Sequence, residues 1–178
     1  GNATYITPQV KAPAWTWVAT GPPQGLELPS GRLLVAADHI GKGGVWGSHA
    51  MFSDDGGVSW QISSSSGAAG RPGKNWSGPL TNGNECQVAV APNHSLIMNM
   101  RTKTGVRQFS WSLDGKGEEW TAPTTAPFDF AGKYAGGGTE GSTVRIPNTD
   151  TLLFSTPFSQ TSRANLTIFS STNSGATW

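Results

Sequence analysis

The sequence predicts an all-β fold, about three four-stranded blades of a β-propeller, on three observations. Its composition is rich in turn formers and poor in charge, one short motif returns at a fixed interval, and each interval holds the same order of short strands. The 178 residues suffice for one ordinary domain. Charged residues make up 13% of the chain, against about 25% in a typical domain. The 24 Gly and 12 Pro exceed what helices tolerate, and the 8 Trp suit short, well-covered strands. With Gly counted among the apolar residues, apolar content reaches about 47%, enough for an ordinary core.

The repeated motif is clearest at Ser53-Asp54-Asp55-Gly56-Gly57-Val58-Ser59-Trp60 and at Ser171-Thr172-Asn173-Ser174-Gly175-Ala176-Thr177-Trp178. Between them, residues 112–120 carry the same idea with one extra residue before Trp120. Asp55, Asp114 and Asn173 stand 59 residues apart in both intervals. In such a motif the Asp or Asn side chain bonds nearby backbone N–H groups, Gly accepts positive φ, and Trp covers the turn. It reads as a rigid hairpin tip. Calcium binding by Asp54 and Asp55 would need more ligands than the motif supplies.

Each unit lays out strands A, B and C ahead of the motif and D after it. In the first unit, 25–28 reads as A, 29–31 as a turn, 32–37 as B and 49–53 as C. In the second, 86–90 alternates as A, 92–95 turns, 96–100 is B and 106–112 is C. In the third, 142–146, 147–150, 152–155 and 165–170 take the same places. The units therefore run at about 20–65, 84–124 and 140–178 within one partial propeller domain, the third cut as its D strand begins. Three blades cannot close a ring, so the chain is expected to be part of a larger propeller, prone to aggregate alone.

Antiparallel order also sorts the residues by rim. The start of A, the end of B and the B–C loop share one rim; the A–B turns and the Asp motifs share the other. Glu85 begins an A strand, Arg101 ends a B strand, and Arg163 occupies a B–C loop, so all three meet at one rim of neighbouring blades.

Other features exclude more than they assign. A net charge of +1 gives no reason to expect nucleic acid or an acidic membrane as partner. No run approaches the ~18 apolar residues of a membrane span, and the first residues lack a signal-peptide pattern; membrane association stays open. Cys86, the single cysteine, allows no internal disulfide and reads as a buried strand residue. Sequons at Asn2, Asn75, Asn93 and Asn165 lean toward a lysosomal or secreted protein. No cofactor and no metal are expected.

Taken in order, Thr20–Leu28 followed by Gly31-Arg32-Leu33-Leu34-Val35, then Asn84-Glu85-Cys86-Gln87-Val88, Met98-Asn99-Met100-Arg101, Leu153–Pro157 and Arg163-Ala164-Asn165-Leu166-Thr167 resemble the exo-α-sialidases, cellular and lysosomal-type ones above all. The resemblance covers nearly the whole chain and implies a six-bladed Asp-box (BNR-repeat) propeller. It implies an exo-α-sialidase, a glycoside hydrolase that removes terminal sialic acid from glycoproteins, glycolipids or oligosaccharides with retention. By position, Glu85 resembles the glutamate that polarises a catalytic tyrosine. Arg101 and Arg163 resemble two of three arginines that hold the sialic acid carboxylate. A guanidinium fork suits that carboxylate. The same negative charge rationalises a neutral tyrosine nucleophile in place of a carboxylate.

The family's first arginine and its acid/base aspartate find no match before Gly21, and its tyrosine lies beyond Trp178, so the chain by itself is expected to be inactive. Arg145-Ile146-Pro147 copies an arginine motif from a strand A position and is left unassigned. Asp38, placed at the end of B in the first unit, is expected in loop chemistry. Trp15 or Trp17 stacking on a sugar is a minor alternative to packing. Two other functions stay open: a lectin that binds sialic acid without cleaving it, and a purely structural Asp-box propeller.

Overall fold

The computed structural model describes residues 3–22, 24–65, 80–81, 83–126 and 138–178. Pro23, Tyr134 and the sequons at Asn2 and Asn75 lie outside them. After a single helical turn, α1 (Thr7–Val10), come β1 (Trp15–Thr20), β2 (Leu26–Glu27), β3 (Leu33–Gly41), β4 (Trp46–Ser53), β5 (Gln61–Ile62), β6 (Ser64–Ser65) and β7 (Leu80–Thr81). The second group is β8 (Gly83–Val90), β9 (Leu96–Thr102), β10 (Gln108–Ser112), β11 (Glu119–Trp120) and β12 (Thr124–Thr125). The third is β13 (Ser142–Arg145), β14 (Leu152–Pro157) and β15 (Leu166–Ser171). The fold is almost all β, with antiparallel sheets in the order β1-β3-β4-β5, β8-β9-β10-β12 and β13-β14-β15.

The first sheet departs from the sequence reading in two places. Its A strand starts at Trp15: β1 and β2 both lie along β3, Trp15 opposite Gly41 and Leu26 opposite Leu34. Gly21 bridges the two pieces by donating its N–H to the Ala36 carbonyl at 2.8 Å. A Cβ there would come within 2.0 Å of the Cys86 carbonyl oxygen, so the residue must be glycine for the first two sheets to pack. Strand B, β3, also runs past residue 37 to Gly41, so Asp38 sits mid-strand opposite Ser48 rather than in a loop.

Period-two alternation decides which neighbour each strand faces. On β9, Leu96, Met98 and Met100 pack with Leu34, Ala36, Ala50 and Phe52 of the first sheet. Ile97, on the other side of the same strand, packs with Ala89, Phe109, Leu152 and Phe154 toward the third. The middle sheet is therefore covered on both faces, as expected of a blade between two others. A third cluster of Val10, Trp15, Ala37, Met51 and Ile62 seals the far side of the first sheet.

At one rim the three Asp motifs adopt the same bonding. The Ser53, Ser112 and Ser171 hydroxyls each accept the N–H of Gly57, Gly117 and Gly175 at 2.9 Å. The same hydroxyls donate to Asp55, Asp114 and Asn173 at 2.8, 2.9 and 3.0 Å. Trp60 and Trp120 close their turns by donating Nε1–H to the Gly57 and Gly117 carbonyls at 3.0 and 3.1 Å. Two bonds from the Ser59 hydroxyl and amide, at 2.6 and 2.8 Å, hold the Asp55 carboxyl down to about 2. Asp54 is engaged by Arg32, whose Nε and Nη2 grip both its oxygens at 2.7 Å. Arg32 Nη1 reaches Glu118 at 2.8 Å in the next sheet, and the guanidinium lies 4.4 Å over the Phe52 ring. The rim opposite Glu85 is thus a structural clamp between neighbouring blades.

Candidate functional site

The candidate site is shaped by an irregularity at the start of β8. Gly83 pairs with Thr102 and Cys86 with Met100, so Asn84 and Glu85 together stand opposite Arg101. This is a β-bulge, which breaks strict alternation and re-aims side chains. Its two residues serve different interfaces. Asn84 turns toward the first sheet, its Nδ2 donating to Asp38 Oδ2 at 3.0 Å while its carbonyl accepts the Ser48 hydroxyl at 2.8 Å. Glu85 turns to Arg101, which donates from Nη1 to Glu85 Oε2 at 2.5 Å. Both partners keep access to solvent, their side chains being 33% and 23% exposed.

Each inter-blade core thus ends at this rim in charged or polar groups. Between the first two sheets the terminal group is Asp38, 1% exposed. Burial first, and then the charge of Glu85, raise its carboxyl to about 7, with Arg101 and the Asn84 amide pulling the other way. Beside it, burial pushes the Cys86 thiol far above its ordinary range, and the Sγ lies 3.3 Å from the Ala37 carbonyl. Cys86 is an inert strand residue.

Between the second and third sheets a buried polar layer lies directly beneath Glu85 and Arg101. Gln87, two residues after Glu85, accepts the Thr143 N–H at 2.5 Å and the Asn99 amide at 3.4 Å. Asn99, two residues before Arg101, donates to the Thr143 hydroxyl at 2.9 Å. Arg107, 6% exposed, donates from Nη1 to Asn99 Oδ1 at 3.2 Å and from Nη2 to the Thr139 carbonyl. Its guanidinium stands 5.3 Å from the centre of the Phe154 ring. Next to Thr139, the Glu140 carboxyl is raised by burial and then by the charge of Glu85, and lowered by Arg107 and Arg101. Glu140 therefore belongs to the same electrostatic field.

Of the three residues singled out from sequence, the structure brings Glu85 and Arg101 into contact. Arg163 is exposed in the 158–165 loop between β14 and β15, at the same rim by strand order. Arg145 lies at the end of β13, beside the A–B turn, where its Nε holds the Thr149 carbonyl at 3.0 Å. Trp15 is buried and stacks on His39, centroids 3.9 Å apart at 10°, which removes it as a sugar platform; Trp17 is 42% exposed. Sequence reasoning missed the bulge, Asn84, Asn99, Arg107 and Glu140. The available signal was polar residues placed two positions from Glu85 and Arg101 on strands that otherwise read as apolar.

Comparison with known proteins agrees with this architecture. The family described as BNR repeat-like domain matches residues 2–178. A sialidase of Bacteroides fragilis is 27% identical over 175 residues, covering 97% of this chain and 30% of the relative. Sialidase-4 of Mus musculus is 33% identical over 110 residues, 56% of this chain and 20% of that protein. Among solved structures, the Hadza microbial sialidase Hz136 superposes with a TM-score of 0.74 at 29% identity, over 97% of this chain and 32% of its own. The chain thus spans about a third or less of the length of the relatives it matches.

Proposed function

The chain belongs to the BNR repeat-like domain family, and from that premise we propose that it forms one wall of the active site of an exo-α-sialidase. The observation that carries the reading is the Glu85–Arg101 pair, in contact at a β-bulge on one rim of a sialidase-like propeller. In this reading Arg101 and Arg163 bind the carboxylate on the anomeric carbon of sialic acid. The planar fork of a guanidinium suits bidentate capture of a carboxylate.

Glu85 accepts the phenol proton of a tyrosine nucleophile supplied by the rest of the protein, and its bond to Arg101 holds the glutamate in place. An aspartic acid, also from outside these residues, protonates the departing glycosidic oxygen and then activates water. The outcome is hydrolysis with retention through a glycosyl-tyrosine intermediate. The substrates are sialylated glycoproteins, glycolipids or oligosaccharides. A lysosomal or secreted location suits them, with Asn93 and Asn165 of the sequons exposed.

The test is turnover of a fluorogenic sialoside by the full-length protein. Glu85→Gln removes the proton acceptor and should lower kcat by about 10²–10⁴-fold, the usual range for general acid–base groups. Arg101→Ala should act on KM as well as kcat, with the melting temperature of both variants near that of the wild type. Undiminished turnover in either variant overturns the assignment. A wild type that binds sialic acid without cleaving it identifies a lectin instead.

A further inference from the structure

Arg107 has no role in the scheme above, yet it is a buried cation at the end of the polar layer that supports both site residues. Burying a guanidinium is costly unless its donors are used in good geometry. Here they tie β9 to the segment that leads into the third sheet. One bond goes to Asn99 on β9, two residues before Arg101, and another to the Thr139 carbonyl at the entry to the third sheet. Asn99 passes the connection to Thr143 on β13, and Thr143 to Gln87 on β8, two residues after Glu85. The Phe154 ring on β14 lies beneath the guanidinium, fixing its plane.

Asn99 and Arg101 share a face of the unbulged β9, and Gln87 is paired with Asn99 while Glu85 is bonded to Arg101, so Gln87 and Asn99 lie one layer below the ion pair. A shift of the third sheet against the second would therefore be felt at the ion pair within one side-chain layer. It would also move the Thr139–Glu140 segment and, with the rest of that sheet, the loop carrying Arg163.

We propose that Arg107 is a positioning residue of the sialic acid site: its fork locks the third sheet onto the second and so fixes Arg101, Glu85 and the Arg163 loop at one carboxylate-binding distance. The inference rests on the assignment of Arg101 and Arg163 to the substrate carboxylate. A lysine at 107 keeps the charge and much of the stem, but a single ammonium point lacks the planar fork that reaches Asn99 and Thr139 together. Misplacement of binding groups by about an ångström costs orders of magnitude in rate, so a loosened clamp should be visible in affinity.

The experiment measures calorimetric affinity of the full-length protein for DANA, the sialidase inhibitor seen bound to Trypanosoma rangeli sialidase, alongside the melting temperature. Four proteins are compared: wild type, Arg107→Lys, Arg107→Met and Leu152→Ala. Leu152 is buried in the apolar part of the same interface, with Arg145 and Ser171 as its register partners toward the opposite rim, so its variant reports destabilisation of that interface away from the polar layer. The expected result is a loss of affinity of about tenfold or more in Arg107→Lys, with a rise in KM for a sialoside and a smaller change in kcat. Leu152→Ala should melt lower and bind as the wild type does. An Arg107→Lys affinity within about twofold of wild type overturns the proposal. So does a Leu152→Ala loss equal to that of the Arg107 variants. A wild type that fails to bind the inhibitor overturns the assignment of Arg101, and this inference with it.

Discussion

Asp38 and His39 are adjacent in sequence and face opposite sides of one strand, and their environments give stability opposite slopes with pH. Burial and the charge of Glu85 raise Asp38 from 3.8 to about 7. Burial lowers His39 from 6.5 to about 4, and lowers His49, whose Nδ1 lies 3.1 Å from that of His39, well below 6.5. Between about pH 4 and 7 the folded chain keeps the Asp38 proton that the unfolded chain has released, so this residue makes stability fall as pH rises. Below about pH 6.5 the unfolded chain takes up histidine protons that the folded chain refuses, so His39 and His49 make stability rise with pH across much of the same window. Over that window the histidine and aspartate contributions oppose each other. Asp38→Asn removes only the falling part, while the amide oxygen can still accept the Asn84 N–H. The variant should melt with wild type near pH 4 and above it, by an amount on the order of 1–3 kcal/mol in stability, at pH 8. A melting difference of the same size at both pH values would show that Asp38 is not held protonated.

At the scale of the element, the Asp motif repays separation into its hydroxyls. Ser53, Ser112 and Ser171 are 1%, 0% and 3% exposed and each satisfies a glycine N–H. Replacing any of them by alanine leaves that N–H without its acceptor, costing about 1–3 kcal/mol where the N–H is buried, at Gly117 and Gly175. Ser59 also bonds its aspartate, but at the surface, and Ser59→Ala should cost less than about 1 kcal/mol. Denaturant titration of the full-length variants checks the ranking; equal losses at Ser59 and Ser112 would mean that the motif is held by its carboxylate rather than by the buried hydroxyl. These motifs were legible in the sequence because their chemistry is local and repeats at a fixed interval. The bulge at Asn84–Glu85 was not. A run such as Gly83-Asn84-Glu85-Cys86 carries no mark of which residue is extra until Gly83 and Cys86 are seen paired with Thr102 and Met100. The A strand of the first unit was read only in part, β2 without β1, for a similar reason. Its break at Gly21 reads as the end of a loop, and only the close approach of the Cys86 carbonyl explains it.

For the whole molecule, order along the chain was enough to bring Glu85 and Arg101 to one rim, because strand direction alone fixes which ends meet. It was not enough to find Arg107 or Glu140, since a charged residue just ahead of a strand reads as solvated until a neighbouring blade is known to cover it. The same logic identifies the face that remains uncovered. In the third sheet, Leu152, Phe154 and Ser171 are buried against the second, while their alternates point away from it. Cross-strand register places Val144 with Leu153, and Leu166 and Ile168 with Pro157 and Ser155, on that outward side. Val144, Leu166 and Ile168 are 56%, 77% and 66% exposed. Fully burying each such side chain is worth about 1.5–3 kcal/mol, and β15 also presents an unpaired edge among the described residues. Produced as residues 1–178 alone, the polypeptide should therefore self-associate, its weight-average mass rising with concentration in sedimentation. Leu166→Lys with Ile168→Lys should reverse this without changing the β content seen by circular dichroism, because both side chains already point into solvent. If the wild-type segment stays monomeric across the accessible concentration range, the outward face of the third sheet is not the adhesive surface its exposure implies.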